Sequence, residues 1–210
     1  MTSVNVPPPV AHPGGMILFV CTGNVCRSPY LELVLRNHLA QRHITSIAVR
    51  SAGTEALLHQ PVAPPMAAIL EQAGITTDTF RSRQLERQMV RSADLILTAE
   101  RSHRSVVARL HPPALSRIFT LRQAARLLQF APLDAPFVPE ENAVSRLARL
   151  IASGRGLNQP SAGDGDDVMD PWQQSASTYR AVEGMLKEPL AVLANALAAQ
   201  RTAPSFVAGD

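Results

Sequence analysis

Four short apolar runs rich in β-branched residues punctuate the chain: MILFVC at 16–21, SIAVRSA at 46–52, ADLILTA at 93–99 and SRIFTL at 116–121. Between them apolar positions recur at helical spacing, in SPYLELVLRNHLAQRH after the first run, VAPPMAAILEQAG after the second and ERSHRSVVARL after the third. Unbroken apolar runs predict strands buried on both faces, and strands alternating with helices predict an α/β fold in which a parallel sheet is covered by helices on both sides. Ligands of such sheets bind at the carboxyl ends of the strands, where the strand order reverses. Cys21 stands at one such end.

Beyond the fourth run the pattern loosens. A helix is predicted near 122–130, then the Pro-interrupted APLDAPFVPEEN, a helix over AVSRLARLIASG (143–154), the polar loop LNQPSAGDGDD, and a final helix from about Ser175 to Gln200 with a kink before Pro189. No internal repeat is visible. The Pro- and Gly-rich residues 1–15 and the tail 201–210 read as disordered or flexible extensions. A single domain over 16–200 with an inserted helical segment at about 122–165 is the expected organisation.

Composition narrows the class. At 210 residues and 46% hydrophobic content the chain can bury one substantial core. The formal net charge is +3, and all but one of the twenty basic residues are arginine, Lys187 being the exception. These arginines are scattered along helices, which predicts a solvated surface and no nucleic-acid partner. Two cysteines cannot make a disulfide framework, so a reducing compartment is expected. The N-terminal sequence lacks a signal-peptide pattern and no window spans a bilayer, so the expectation is a soluble, cytoplasmic protein without membrane insertion.

The stretch CTGNVCRSP, residues 21–29, supplies the chemistry. A loop leading from a strand into a helix, with Gly23 free to take positive φ and Asn24 tolerant of the left-handed region, can turn successive N–H groups inward. Placed at a helix N-terminus, such a nest binds a tetrahedral oxyanion. Arg27 adds a planar fork that can hold two phosphate oxygens at once. The same dipoles and guanidinium favour a thiolate at Cys21, and Pro29 suits the first helical turn. A Cys followed six residues later by Arg is weak alone; the full octet after a buried strand and before a helix is specific.

At these residues the chain resembles the low-molecular-weight protein tyrosine phosphatases, of bacterial type with an extra segment before the acid loop. CTGNVCRSP is similar to that family's phosphate-binding loop, SAGT (51–54) to the end of its second strand, GITTDTFRSRQL (74–85) with ADLILTAERSHRSVV (93–107) to its central segment, and DVMDPW (167–172) to its acid loop. The resemblance covers roughly 16–121 and 167–198. It implies a three-layer sandwich around a four-stranded parallel sheet, and hydrolysis of phosphate monoesters, chiefly protein phosphotyrosine or an aryl phosphate, through a phosphocysteine. It assigns Cys21 as nucleophile, Arg27 as phosphate clamp and Asp170 as general acid, with Ser28 hydrogen-bonded to the Cys21 sulfur and Asn24 holding the loop. Thr22, Gly23, Asn24, Val25, Cys26, Arg27 and Ser28 form the implied phosphate-binding set, and Trp172 an aromatic wall. No metal or other cofactor is implied, because the amides and Arg27 meet the charge on the phosphoryl oxygens.

Each residue also has a plainer reading. Cys21 alone would be a small buried hydrophobe, Asp170 a turn initiator before Pro171, and Trp172 a packing residue; Tyr30 reads as helix packing with the pocket entrance as its alternative. Asp164, Asp166 and Asp167 are substitutes for the acid. Cys26 is a buried loop residue or, under peroxide, a reversible disulfide partner of Cys21. The histidines show no metal-ligand spacing. Some forty-five residues separate the fourth strand from the acid loop, and they either cap the active site or pack elsewhere. Phe80 and Met169 depart from the family's usual residues. Two other functions remain: arsenate reduction on the same fold with an external thiol, and a non-catalytic phosphotyrosine-binding module. The physiological substrate and oligomeric state are not encoded in any motif.

Overall fold

The computed structural model describes residues 12–155 and 165–199. Its strands are β1 (Met16–Cys21), β2 (Ala48–Gly53), β3 (Leu95–Thr98) and β4 (Ile118–Thr120). The helices are α1 (Arg27–Gln41), α2 (Pro64–Gln72), α3 (Arg87–Ser92), α4 (Arg101–Leu110), α5 (Leu121–Leu128), α6 (Ala143–Ser153) and α7 (Ala176–Ala199). All four strands are parallel, in the order β2-β1-β3-β4, with Cys21 beside Gly53 and Val20 beside Thr98. This is the predicted α/β sandwich. The four apolar runs became the four strands within two residues at each end.

Alternation along each strand builds two cores. Ile17, Phe19, Leu95, Leu97 and Phe119 face a larger core formed with α1, α2, α5, α6 and α7. Leu18, Val20, Ile96 and Ile118 face a smaller one that takes Val90 from α3 and Val107 from α4. β1, β3 and β4 are covered on both faces, which is why they read as continuous apolar runs, while β2 at the sheet edge exposes Arg50. Because β2 and β3 flank β1 on opposite sides, the chain reverses direction across the sheet between the carboxyl ends of β1 and β3. Cys21 closes one of these strands, and Glu100 follows the other by two residues.

Several expectations change. Residues 1–11 and 200–210 lie outside the described residues, but His12–Gly15, expected with the disordered extension, form a turn whose Gly14 amide donates to Ser46 O at 3.0 Å and whose Gly15 carbonyl accepts from Ala48 at 2.9 Å. Short α3 and a 3₁₀ turn at Pro112–Arg117 carry too few residues to show a helical period. The last helix runs through Pro189 as one element.

Among the described residues, the segment before the acid loop does not cap the site. Asn142 caps α6 by accepting from Ser145 N at 2.8 Å, and its amide group donates to Asp94 Oδ1 at 3.2 Å; Asp94 Oδ2 in turn accepts from Met16 N at 2.8 Å. Past the other end of α6, Arg155 donates to Ile118 O at 3.1 Å and lies 4.3 Å from the Phe119 ring centroid. These anchors sit at the amino ends of β1, β3 and β4, so α6 lies across the pole opposite Cys21. α5, expected as part of the insertion, belongs to the larger core through Leu121, Ala124 and Leu127.

Gly53 ends β2 where backbone meets backbone: a Cβ there would stand 2.4 Å from the Thr22 carbonyl oxygen. Gly53→Ala should therefore lower unfolding free energy in urea by about 1–3 kcal/mol, the usual cost of an overpacked contact. It should also depress turnover, since the displaced carbonyl belongs to the loop that follows Cys21.

Candidate active site

The loop 22–26 leaves β1 and enters α1, and every carbonyl from Cys21 to Cys26 except that of Asn24 accepts a backbone N–H. Cys21 O accepts from Thr54 N at 2.9 Å, Thr22 O from Glu55 N at 3.0 Å, Gly23 O from Leu57 N at 3.0 Å, Val25 O from Ala63 N at 2.8 Å and Cys26 O from Tyr30 N at 3.2 Å. Among the described residues, no amide of 22–26 donates to a backbone carbonyl. The 54–63 segment takes up four of these carbonyls and leaves the loop's N–H groups without a backbone acceptor, the condition for a concave nest. The positive φ falls on Asn24, at 54°, and not on Gly23. Asparagine tolerates this region, and here its side chain is tied down on both sides. Asn24 Nδ2 donates to Ser28 Oγ and to Ser51 Oγ, both at 2.9 Å, and Oδ1 accepts from Arg83 N at 2.9 Å.

Cys21 Sγ lies on the floor of the cup, 3.0 Å from Ser28 Oγ. Arg27 is 1% exposed, yet its guanidinium is nearly saturated. Nη1 donates to the Glu100 carboxylate and to Val168 O at 2.9 Å; Nη2 donates to Asp170 Oδ2 at 2.7 Å and Thr22 Oγ1 at 3.2 Å. Only Nε lacks a partner among the described residues. A buried cation stays charged when paired and hydrogen-bonded.

A pocket of about 210 Å³ opens over this floor, bordered by Cys21, Thr22, Gly23, Val25, Cys26 and Arg27 below and by Glu55, Leu57, Asp170 and Trp172 around the mouth. The sequence-selected residues therefore meet in one place, with Asn24 and Ser28 directly behind them. Tyr30 is buried in packing, away from the entrance. The substitute acids are engaged elsewhere: Asp166 pairs with Arg126 at 2.8 Å and Asp167 accepts from Arg101 N at 2.8 Å; Asp164 lies outside the described residues. Asp170 alone of these reaches Arg27, and its Oδ1 accepts from Trp172 N at 3.1 Å, fixing the turn that presents both side chains. Among the described residues no three His, Cys, Asp or Glu side chains are grouped as metal ligands. No helix of the described residues is long and apolar enough to cross a membrane.

Several residues that shape the site carry no local signal. Glu32, fully buried on α1, accepts from Ser51 Oγ at 2.6 Å, which extends the chain of bonds from Ser28 and Asn24 into the core. Glu100 caps α4 while it holds Arg27, and Ser102 Oγ donates to its other oxygen at 3.1 Å. Burial pushes the Glu100 carboxyl up, but the bond and charge of Arg27 outweigh it and leave it below the ordinary carboxylate range. Cys26 Sγ contacts Tyr179 OH at 3.6 Å; burial, only partly offset by that bond, pushes its thiol up to about 12, so it remains protonated at neutral pH. Leu57 and Glu55 come to the mouth on the β2–α2 loop, far in sequence from the motif.

Glu100→Gln should cut kcat/KM on an aryl phosphate about tenfold, the scale of one charge-assisted hydrogen bond to the clamp. The depressed carboxyl stabilises the fold above its unfolded pKa, and this contribution is lost as pH falls through the folded pKa. The Tm difference between wild type and variant should thus be full at pH 6 and shrink below about pH 4.5, as thermal unfolding across pH will show.

Comparison with known proteins agrees with this geometry. The family model described as low molecular weight phosphotyrosine protein phosphatase matches residues 16–136. A probable low molecular weight protein-tyrosine-phosphatase, EpsP of Ralstonia solanacearum, is 31% identical over 135 residues, 64% of this chain and 90% of that protein. Among solved structures, the YwlE arginine phosphatase from Geobacillus stearothermophilus superposes with a TM-score of 0.65 at 25% identity, over 91% of this chain and 99% of that one. The tyrosine phosphatase AmsI of Erwinia amylovora shares the fold with a TM-score of 0.63 at 22% identity, over 87% and 92% of the two chains. These relatives favour the phosphatase over the arsenate reductase, and the chain belongs to the low molecular weight phosphotyrosine protein phosphatase family.

Proposed function

We propose that the pocket hydrolyses phosphotyrosine monoesters with Cys21 as nucleophile, Arg27 as clamp, Ser28 as stabiliser of the sulfur and Asp170 as acid and base. The observation that carries this reading is the coincidence at one floor of inward amides, the Cys21 sulfur and the unpartnered Arg27 Nε. A phosphate dianion seated there takes hydrogen bonds from the loop amides and from Nε, and these bonds strengthen as charge grows on the equatorial oxygens. The bound phosphate also competes for Arg27 Nη2, releasing Asp170 at the mouth to carry a proton.

In the first step the Cys21 thiolate attacks phosphorus, the P–O bond to the phenol breaks, and Asp170 gives its proton to the departing oxygen. Ser28 Oγ, 3.0 Å from Sγ, donates to the thiolate and favours its departure in the second step. There Asp170, now ionised, removes a proton from water as its oxygen attacks phosphorus; the S–P bond breaks and inorganic phosphate leaves. Val25, Leu57 and Trp172 present apolar faces to whatever group bears the phosphate. Such walls match the apolar faces of a phenol ring. Phosphorylated proteins are thus the substrate class, and the closed, buried cup argues against a module that only binds.

Aryl-phosphate turnover by wild type, Cys21→Ser and Asp170→Asn tests the assignment. The serine variant should lose all measurable turnover. The asparagine variant should lose about 10²–10⁴-fold with a poorly leaving phenol and much less with a well-stabilised one, because only the former needs a proton. Equal losses for both leaving groups would remove Asp170 from its role.

A further inference from the structure

One hydroxyl in the cup is left with a proton and nothing to give it to. Thr22 Oγ1 lies 2.9 Å from His103 Nε2 and accepts from Arg27 Nη2 at 3.2 Å. The direction of the first bond follows from the other side of the imidazole ring. His103 Nδ1 stands 3.1 Å from Glu100 N and accepts its proton, completing the cap of α4. A neutral histidine whose Nδ1 accepts carries its proton on Nε2, so Nε2–H donates to Thr22. Neutrality agrees with burial, which chiefly lowers the proton affinity of His103, and with the charge of Arg27; Glu100, Asp170 and Asp167 oppose them without prevailing.

Both acceptor positions of the Thr22 oxygen are therefore occupied, and its own proton must point elsewhere. Among the described residues no acceptor lies within hydrogen-bond distance of Oγ1. Thr22 borders the pocket, next to Cys21 and on the Arg27 Nη2 side.

We propose that the Thr22 side chain is a further phosphate ligand, its hydroxyl donating to a non-bridging phosphoryl oxygen, and that His103 is the positioning residue that fixes this hydroxyl as a donor. The inference rests on the cup being the phosphate site and adds to it a side-chain contact distinct from the loop amides. The bond is charge-assisted, since the acceptor is an anionic oxygen. His103 acts only through Thr22: it fills one lone pair, Arg27 fills the other, and the hydroxyl rotor loses its freedom to turn away. Pre-orientation of this kind removes an entropic cost that a free hydroxyl would bear on binding.

Inorganic phosphate as a competitive inhibitor of p-nitrophenyl phosphate hydrolysis provides the readout. Thr22→Val, which keeps the shape and removes the hydroxyl, should raise the inhibition constant about tenfold. Thr22→Ser should recover most of the affinity, to within about threefold of wild type. His103→Phe should weaken phosphate several-fold in the wild-type background and have no further effect on top of Thr22→Val. His103→Gln, whose amide can still donate to Thr22, should lie between wild type and His103→Phe. Unfolding midpoints within a few degrees of wild type establish that each variant is folded, and the threonine pair decides the matter even where His103→Phe is not. An unchanged constant in Thr22→Val, or one as high in Thr22→Ser as in Thr22→Val, would overturn the proposal while leaving the phosphatase intact. Wild type that neither hydrolyses the ester nor binds phosphate would overturn both.

Discussion

The structure depends on the outward pull exerted on the carbonyls of residues 21–26. Left alone, a six-residue passage from strand to helix would satisfy its own polar groups, with N–H and C=O closing turns upon each other. Here the amides of Thr54, Glu55, Leu57 and Ala63 take up four of those carbonyls and Tyr30 takes a fifth. The cost is a row of unpaired N–H groups over a buried sulfur, tolerable because they open onto a pocket where water or an anion can reach them. Gly53 makes the arrangement possible by letting β2 approach Thr22 without a side chain between them. Binding of a phosphate is thus the completion of a hydrogen-bond inventory that folding leaves open.

Arg27 extends the same logic to charge. A guanidinium at 1% exposure would be costly to desolvate without partners. Glu100, Asp170, Val168 O and Thr22 supply four bonds, and they come from three separate parts of the chain. The carboxyl end of β3, the start of α4, the acid loop and the phosphate loop are thereby locked to one side chain. Behind the cup, the series Cys21, Ser28, Asn24, Ser51, Glu32 connects the Cys21 sulfur to a carboxylate inside α1 by bonds of 2.6–3.0 Å. Catalytic precision of this kind needs supporting side chains whose rotamers are themselves fixed, and Ser28, Asn24, Ser51 and Glu32 each have at least two hydrogen-bond partners.

How much of this was legible depended on whether the signal was local. The strands were, because parallel strands covered on both faces are largely apolar, and the octet was, because Cys21, Arg27 and the helix start fall within nine residues. Asp170 was reached only through the family resemblance, and its geometry against Arg27 separates it from Asp166 and Asp167, whose carboxylates face other arginines. Of the two residues offered for the turn, Gly23 and Asn24, it is Asn24 that takes the left-handed conformation. Glycine is the default for positive φ, but Asn24 holds that conformation through three side-chain bonds that no sequence window contains. Glu32, Glu100 and His103 were passed over for a related reason. Each looks like an ordinary polar helix residue until the topology brings the end of β3 beside β1 and the end of β2 against α1. Short α3 was invisible because six residues cannot display a 3.6-residue period.

A parallel sheet has chemically unlike ends: the carboxyl pole presents helix N-termini and loop amides to ligands, while the amino pole needs only to be covered. α6 lies at the amino pole, where Asn142 meets Asp94 and Arg155 stacks on Phe119, so it enlarges the apolar core and leaves the cup untouched. The mouth is framed instead by two short loops, one bringing Glu55 and Leu57 and the other Asp170 and Trp172. Leu58 and Met169, each more than half exposed on the same two loops, continue that rim outward as apolar surface. An incoming phosphoprotein meets these side chains before its phosphate meets Arg27, so discrimination between substrates falls to the loops while the cup, built from backbone and a buried guanidinium, treats every phosphomonoester alike.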